Sequence, residues 1–221
     1  MAELTLCSPR TPLPSAITGP GVIPVLRAAS SPRYDAVLDT IVETGILAIE
    51  LTLTTPGVIE AIDDLRTRLD GSGALLGVGT VTDAQTAVRV LDAGAQFLVT
   101  PIASEDVVLV ARERHIPIIP GAMTPTEIHG MWQAGASAVK VFPAGTVGPA
   151  YLDQLRGPFP KLEVIPSGGF SLEDVPSWIR AGAAAISMGS GLVGSALVDE
   201  DLPPLRRRCQ DLLEHIRHSR S

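Results

Sequence analysis

The sequence has 221 residues, of which 45% are hydrophobic and 19% charged, and its formal net charge is −7 at pH 7. A chain of this length and composition can bury a full core, which excludes an intrinsically disordered protein. The negative charge argues against nucleic acid or an anionic membrane as a partner.

The start of the chain differs in composition from the rest. It is rich in Pro, Ser and Thr, and we predict a loose N-terminal arm over residues 1–20 that precedes a single domain over residues 21–221. The arm contains Glu3 and lacks the basic segment and long apolar run of a secretory signal. No apolar stretch reaches transmembrane length. We therefore expect a cytoplasmic protein with no membrane partner.

Apolar, strand-like runs alternate with helix-like segments from Gly21 onward. Only 4% of the residues are aromatic, so Ala, Val, Ile and Leu form the apolar bulk, as they do in buried parallel sheets and the helices that cover them. Several helix-like segments start with Ser or Thr and end with Gly, which are common caps. Eight strand-like runs are predicted, over residues 21–28, 46–53, 74–81, 96–101, 116–122, 136–142, 162–169 and 183–190.

A small residue and a glycine precede every second run, as in ETGILAIEL and QAGASAVKV. A glycine that ends a helix explains each case separately, but the recurrence favours an eightfold β/α plan. Eight alternating units predict an α/β fold, a single (β/α)8 TIM barrel, with the active site at the C-terminal ends of the strands. The main alternative is a doubly wound open sheet, which the absence of GxGxxG after the first strand disfavours.

Polar residues and glycines lie at or near the ends of most predicted strands. They come from distant parts of the sequence, yet a barrel would bring them to one mouth. These candidate site residues are Arg27, Glu50, Thr80, Thr100, Pro101, Lys140, Ser167, Gly168, Gly169, Gly189 and Ser190.

Lys140 lies inside the apolar run Ala-Val-Lys-Val-Phe, although 15 of the 17 basic residues of the chain are arginine. Burial disfavours the charged form of a lysine, and the free amine can then attack a ketone to give a Schiff base. The alternative is a structural lysine that reaches water from a strand edge or pairs with a carboxylate. Its position alone leaves both possibilities open.

Glu50 lies among Ile, Leu and Thr in ILAIELTL. A carboxylate is rarely buried without a partner, and apolar surroundings raise its pKa toward the range of a general acid/base. A buried ion pair with Lys140 or an arginine is the structural alternative. Breaking or forming a carbon–carbon bond through an iminium requires an amine and a group that moves protons, and one barrel would hold both.

Two glycine-containing pairs follow the last two predicted strands, Gly168-Gly169 and Gly189-Ser190. Each pair alone is typical of an ordinary turn. Loops at these two positions of a TIM barrel often bind phosphate through backbone N–H groups, so together they favour a phosphate site.

The histidines do not form a metal-binding pattern. His115 precedes a strand-like run and the other three lie in helix-like segments, so no HxH or HxxxH pair falls on a strand end. Cys7 and Cys209 have no CxxC partner and predict no disulfide framework. We expect no metal and no cofactor, and we expect the arginine run 206–208 to lie on a solvated helix face.

Eight short motifs, taken in order, resemble those of one enzyme family: PVLRA, IELTL, GVGTV, VTP, IPGAMTPTE, VKVFPAG, PSGG and GSGL. The chain is similar, from about Gly21 to Leu197, to the Schiff-base aldolases that cleave 2-keto-3-deoxy-6-phosphogluconate (KDPG) and 4-hydroxy-2-oxoglutarate (KHG). The resemblance implies a TIM barrel that assembles as a homotrimer. It implies a class I aldolase without cofactor or metal, which reversibly splits a 2-keto-4-hydroxy acid, KDPG or KHG or both, into pyruvate and an aldehyde, glyceraldehyde 3-phosphate or glyoxylate.

The resemblance also implies roles for single residues. Lys140 matches the Schiff-base lysine, and Glu50 matches a general acid/base that acts through a water. Other matches line the pyruvyl pocket, form the phosphate loops or face the anionic substrate. Thr80, Pro101 and Phe142 match the pocket residues. Gly168, Gly169 and Ser190 match the phosphate loops, with Ser167 and Gly189 beside them. Arg27 matches the arginine that faces the substrate anion.

Thr54 departs from the family pattern, because many members carry an arginine there that holds an anionic end of the substrate. The relatives that cleave 2-keto-3-deoxy-6-phosphogalactonate also lack this arginine, so that substrate is an alternative. Two further alternatives are a different phosphate-binding barrel enzyme, such as an epimerase or a synthase, and an assembly scaffold.

Overall fold

The computed structural model describes residues 10–220, without the side chains at positions 32 and 33. The strands are β1 (Val22–Leu26), β2 (Ala48–Thr52), β3 (Leu75–Gly79), β4 (Phe97–Val99), β5 (Ile118–Ile119), β6 (Gly121–Ala122), β7 (Val139–Val141), β8 (Val164–Pro166) and β9 (Ile186–Met188). The helices are α1 (Ser15–Thr18), α2 (Asp35–Glu43), α3 (Val58–Arg68), α4 (Ala84–Asp92), α5 (Glu105–Glu113), α6 (Pro125–Ala134), α7 (Ala150–Arg156), α8 (Val175–Arg180), α9 (Ser190–Val193), α10 (Ala196–Asp199) and α11 (Leu202–Arg220). Within this described range, none of the helices is both long and apolar enough to cross a membrane.

The strands pair in parallel and form two sheets. One sheet has the order β5-β4-β3-β2-β1-β9 and the other the order β6-β7-β8. Main-chain hydrogen bonds connect each sheet to a segment beside the other: Ser137 N, just before β7, donates to Ile118 O of β5 at 2.9 Å, and Ala184 N, just before β9, donates to Val164 O of β8 at 2.9 Å. The structure confirms the predicted α/β fold, in which parallel strands alternate with helices.

The fifth predicted strand is divided in two. Pro120 separates β5 from β6, so the eight predicted runs correspond to nine strands within residues 10–220. Proline has no N–H to donate to a ladder, and it interrupts the strand at this point. Its carbonyl oxygen still accepts a hydrogen bond from the main chain of Lys140.

The apolar side chains form two clusters, one on each face of the sheets. The larger cluster lies between sheets and helices and includes Ile186. The strands alternate between the clusters because successive side chains point to opposite faces, so Ala185 belongs to the other one. This inner cluster consists of Ile17, Ile23, Ala48, Phe97, Val99, Ile119, Ala138, Ile165 and Ala185.

The inner faces of the strands change from apolar to polar toward their C-terminal ends. Along β2 the alternate residues are Ala48, Glu50 and Thr52, all buried. The same step leads from Ala138 of the inner cluster to Lys140 in β7. The inner cluster therefore fills the N-terminal part of the interior, and polar groups gather at the other end.

Part of the predicted arm lies against the domain. α1 places Ile17 in the inner cluster, with Leu13 packed against it. The Arg10 guanidinium lies 3.3 Å from the centroid of the Trp132 ring and donates to Ala136 O at 2.8 Å. The expectation of a loose arm is therefore wrong for residues 10–20, because an apolar side chain anchors this stretch. Residues 1–9 lie outside the described range, and the division into arm and domain stays a prediction.

Candidate active site

A cavity of about 280 Å³ lies at the C-terminal ends of the strands, and every predicted site residue lines it except Thr100, which is fully buried. These are Arg27, Glu50, Thr80, Pro101, Lys140, Phe142, Ser167, Gly168, Gly169, Gly189 and Ser190. A second cavity of about 390 Å³ shares Val25, Arg27, Gly189 and Ser190 with the first. The structure thus brings together residues that are up to 163 positions apart in the chain.

Lys140 is held in the wall of the cavity by the strands on both sides of β7. Its main chain pairs with Gly121 in β6 and Ile165 in β8, and only 7% of the residue is exposed. Its Nζ lies 5.2 Å from the centroid of the Phe142 ring. Among the described residues, no carboxylate forms an ion pair with it. An unpaired amine on a fixed strand therefore faces the cavity.

Glu50 is almost fully buried, with 1% of the residue exposed, and its Oε2 has no hydrogen-bond partner among the residues that the structure describes. Burial raises the pKa of this carboxyl group, while the positive charges of Lys140 and Arg27 act in the opposite direction. The carboxyl group consequently keeps its proton to a higher pH than it would in water. A raised pKa suits a group that must both accept and return a proton near neutrality.

Thr80 follows β3 with a φ of 65°, a left-handed conformation that is uncommon for residues other than glycine. Hydrogen bonds on both sides fix it: Leu53 N donates to Gly79 O at 3.0 Å, and Val81 N donates to Val99 O at 3.4 Å. Unfavourable backbone conformations of this kind cluster at functional sites. The turn brings Thr80 to the cavity wall together with Pro101.

Arg27 is an exposed residue at the end of β1, and it lines both cavities. It has no hydrogen bond or ion pair with the residues that the structure describes. The main chain around it is fixed, since Ala28 N donates to Thr55 Oγ1 at 3.0 Å and Thr52 Oγ1 donates to Leu26 O at 3.1 Å. A rigid strand end therefore presents an unpaired guanidinium to the cavity.

The loop after β8 forms a small concave surface of main-chain donors. Gly168 and Gly169 have φ values of 77° and 82°, which side chains other than glycine rarely adopt. The N–H groups of Gly168, Gly169 and Phe170 donate to none of the described residues, whereas Ala144 N and Gly145 N bind the carbonyls of this loop at 2.9 Å each. Consecutive N–H groups in such a conformation are suited to bind an anion.

The family model for KDPG and KHG aldolases matches residues 14–206. The chain belongs to this aldolase family. It is 32% identical over 172 residues to the probable 2-dehydro-3-deoxy-6-phosphogalactonate aldolase of Rhizobium meliloti, covering 77% of this chain and 81% of the relative. It is 30% identical over 203 residues to the 2-dehydro-3-deoxy-phosphogluconate aldolase of Pseudomonas aeruginosa, covering 89% and 91%.

Several solved structures superimpose closely on this one. A native KDPGal structure gives a TM-score of 0.83 at 27% identity, covering 90% of this chain and 95% of that chain. KDPG aldolase from Legionella pneumophila, with pyruvate captured as a covalent carbinolamine, gives a TM-score of 0.79 at 25% identity. The match covers 90% of this chain and 96% of that chain. A cube-shaped protein cage designed by fusing symmetric oligomeric domains gives a TM-score of 0.83 at 27% identity. The match covers 90% of this chain and 73% of that chain.

The aldolase cavity includes residues that the sequence analysis missed, namely Val25, Thr52, Phe170, Ser187, Met188 and Gly191. Thr52 could have been found, because it lies two residues beyond Glu50 and therefore on the same face of β2. Ser187 gave no such signal, since a serine in an apolar run has no distinctive spacing. Its buried hydroxyl lies 3.2 Å from that of Ser167.

Thr54, at the position of the family's arginine, is exposed and does not line this cavity. Its hydroxyl group donates to Thr52 Oγ1 at 3.1 Å. The aldolase therefore presents one arginine to the cavity, Arg27, among the residues described.

The expectation of a solvated arginine run is wrong for Arg208. Its Nε donates to Leu192 O at 2.6 Å and its Nη2 to Val193 O at 2.8 Å, which ties α11 to the end of α9. Arg206 pairs with Glu43 at the exposed surface and Arg207 is exposed, so these two match the expectation.

Within residues 10–220, no group of three or more His, Cys, Asp and Glu side chains is placed to hold a metal ion. Cys209 is buried in α11, and burial raises the pKa of its thiol group to about 11. The thiol group is therefore protonated at neutral pH. A protonated, buried thiol is inert as a nucleophile.

Proposed function

We propose that this protein is a class I aldolase in which Lys140 and Glu50 reversibly split a 2-keto-4-hydroxy acid into pyruvate and an aldehyde. The observation that carries the proposal is the pair itself. A buried amine and a buried carboxyl group of raised pKa line one cavity at the strand ends, without an ion pair between them. Membership of the aldolase family supports the same reaction, and so does the pyruvate carbinolamine in the Legionella pneumophila relative.

Lys140 supplies the electron sink. Its amine attacks the C2 ketone, and the resulting carbinolamine loses water to become an iminium. Glu50, as carboxylate, then takes the proton of the C4 hydroxyl group. The C3–C4 bond breaks, its electrons pass into the iminium to give an enamine, and the aldehyde leaves.

Glu50 also completes the cycle. Through its carboxyl group, the proton taken from the hydroxyl group returns to C3 of the enamine, which regenerates the iminium. Water then hydrolyses the iminium, releasing pyruvate and the free amine of Lys140. The raised pKa of Glu50 matches this double task, since the group must hold the proton between the two steps.

The cavity offers separate groups for the two ends of the substrate. We propose that Thr80 holds the pyruvyl carboxylate, with Pro101 and Phe142 packed against the pyruvyl group. The free N–H groups at Gly168 and Gly169 suit a phosphate, with Ser190 on the neighbouring loop. Arg27 supplies a positive charge beside both cavities.

The substrates named for the relatives are KDPG, KHG and the phosphogalactonate analogue. We propose a phosphorylated keto acid as the substrate, with glyceraldehyde 3-phosphate as the released aldehyde. Thr54 favours the phosphogalactonate analogue as a second candidate, because an arginine at this position is absent there as well.

We propose that the two sheets close into one eight-stranded barrel over residues 21–221. Pro120 alone separates β5 from β6, and an isolated parallel bridge between Ser167 and Ser187 joins β8 to β9. The ring would then run without a gap from β1 to β9. We further propose a cytoplasmic homotrimer, and the similarity to a cage built by fusing symmetric oligomeric domains supports an oligomer.

The test of this function is borohydride trapping with pyruvate, followed by intact mass and peptide mapping. We expect a reduced adduct on the Lys140 peptide, and Lys140→Ala should abolish both adduct and turnover. The other lysine of the chain, Lys161, is exposed and outside the cavity. Lys161→Ala is the matched control and should keep both.

A folded wild-type protein that gives no adduct, or an adduct on Lys161, would contradict the mechanism. An epimerase, a synthase or an assembly scaffold on this fold would then be the better interpretation. Turnover by Lys140→Ala at the wild-type rate would have the same consequence.

A further inference from the structure

The β3 sequence Leu-Leu-Gly-Val-Gly has two glycines on its inner face, and their surroundings differ. A Cβ added at Gly77 would fall on the ring of Phe97, which belongs to the inner apolar cluster. A Cβ added at Gly79 would lie 2.7 Å from Cγ of Glu50 and closer still to its Cδ and Oε1. The carboxyl group of Glu50 thus occupies the space that any other residue at 79 would fill.

This packing explains how a carboxyl group reaches an almost fully buried position between strands. The main chain of Glu50 pairs with Gly77, and that of Thr52 with Gly79, so the side chain of Glu50 extends along the strand to lie over Gly79. Gly79 has a φ outside the left-handed region, so backbone conformation does not require glycine there. The requirement is spatial, and the three nearest atoms all belong to the side chain of Glu50.

The geometry points to Gly79 as a positioning residue of the aldolase reaction, one that acts through Glu50 by leaving the space in which its carboxyl group sits. This inference rests on the proposed function, since it assigns Gly79 to the proton transfers at C3 and at the C4 hydroxyl group. Gly79 itself contributes no side chain and touches no reacting atom.

A methyl group at 79 would displace the carboxyl group and leave the fold in place. The atoms in its way are the end of a flexible side chain, which can retreat into the cavity, and not main chain. The carboxyl group must move by more than about 1 Å to reach van der Waals contact. A displacement of this size at a catalytic group can cost about 100-fold in rate.

The test compares two half-reactions in Gly79→Ala. Borohydride trapping with pyruvate reports Schiff-base formation by Lys140, and exchange of the pyruvate methyl protons in D₂O reports proton transfer by Glu50. We expect trapping to persist while exchange falls about 100-fold, a loss in the range that general acid–base catalysis supplies. The pH profile of the remaining exchange should also move, because the displaced carboxyl group has a different environment.

A double-mutant cycle with Glu50→Gln separates positioning from simple packing. Glutamine has the size of glutamate but cannot shuttle the proton. In the Glu50→Gln background, Gly79→Ala should therefore lower the exchange rate by less than about threefold. Gly130→Ala is the matched control. Gly130 lies in α6, where a Cβ meets nothing within 4 Å, and its exchange rate should equal that of wild type.

The inference is overturned if folded Gly79→Ala exchanges at the wild-type rate, or if its loss is the same in the Glu50→Gln background. It is also overturned if trapping disappears together with exchange, because Gly79 would then support Lys140 or the whole fold. If wild type gives neither trapping nor exchange, the proposed function fails first. The wild-type sample thus distinguishes the two failures.

Discussion

Folding removes the carboxyl group of Glu50 from water, so its protonation links the proposed proton transfers to stability. Its pKa in the folded protein lies above the ordinary value of 4.5, chiefly because of burial. Between the two pKa values the folded state holds a proton that the unfolded chain has lost, so stability falls as the pH rises through this window. Each unit of pKa elevation corresponds to about 1.4 kcal/mol.

Glu50→Gln should therefore stabilise the protein at pH 8 and change little at pH 4. The amide has the same size as the carboxyl group and carries no charge at either pH. Urea unfolding of both proteins at the two pH values measures the difference. A wild type that gains on the variant as the pH rises would mean that Glu50 is stabilised as a carboxylate, and an equal difference at both pH values would mean that folding does not change its pKa.

Arg27 is the guanidinium that lines both cavities, and it has no hydrogen bond or ion pair with the described residues. We expect Arg27→Ala to raise KM for a phosphorylated substrate by about 10- to 100-fold, the value of a hydrogen bond to a charged group. Trapping of saturating pyruvate should persist, since we propose that the Schiff base forms at Lys140. Steady-state kinetics with Arg207→Ala, an exposed arginine on α11, as control would check this. An unchanged KM in Arg27→Ala would place the anion elsewhere.

At the scale of residues, the sequence was sufficient to find the groups that chemistry makes conspicuous. Lys140 and Glu50 were conspicuous because burying a charged group in an apolar strand costs free energy unless the group is paired, so such residues are rare there. Ser187 and Gly79 were not, because a small residue in a strand carries no signal of what lies opposite. Their importance depends on which side chain of another strand fills the adjacent space, and that is decided by the register between strands.

The short helix α9 begins at Ser190 in the cavity wall and is held by a residue of α11. Arg208 donates to the carbonyls of Leu192 and Val193, the last residues of α9. These carbonyls have no partner within so short a helix, and the guanidinium satisfies them. The side chain therefore connects the terminal helix to a wall of the site.

Removing this connection should weaken both fold and binding. We expect Arg208→Ala to lose about 1–3 kcal/mol of stability, or a Tm fall of about 2–4 °C for each kcal/mol. KM for a phosphorylated substrate should rise severalfold as α9 loosens. The neighbouring Arg207→Ala, on the same helix and exposed, is the control for helix propensity and charge. A Tm equal to that of Arg207→Ala would show that the contact adds no stability.

At the scale of elements, the helical spacing of apolar residues predicts which side of a helix is buried, and residue type alone does not. The buried residues of α11 are Leu205, Cys209, Leu212 and Ile216, which mark one face of a helix. Position 208 lies beside this face, three residues after Leu205, so an arginine there can turn inward. The charge of the run 206–208 predicted exposure to solvent for all three arginines. The helical spacing places Arg208, but not Arg207, beside the buried face. The split at Pro120 is similar, since a proline in a strand predicts an interruption.

The arrangement of the whole molecule follows from two repeats that the sequence contains. Apolar runs fix the strands, and the glycines that end helices fix the spacing between them. What the pattern could not indicate is the role of the segment before the first strand. Leu13 and Ile17 look like isolated apolar residues among prolines, and their place in the inner cluster depends on strands far along the chain.

The proposed homotrimer is a prediction about the whole molecule, and solution mass decides it. A closed ring of three copies uses two different patches of each chain, so assembly should stop at three and not form filaments. Light scattering after size exclusion should give about three times the chain mass of 23.1 kDa. Because assembly binds the folded state, Tm should also rise with protein concentration. A mass of one chain, with Tm independent of concentration, would exclude the trimer; because every predicted site residue belongs to one chain, the aldolase mechanism would then stand for a monomer.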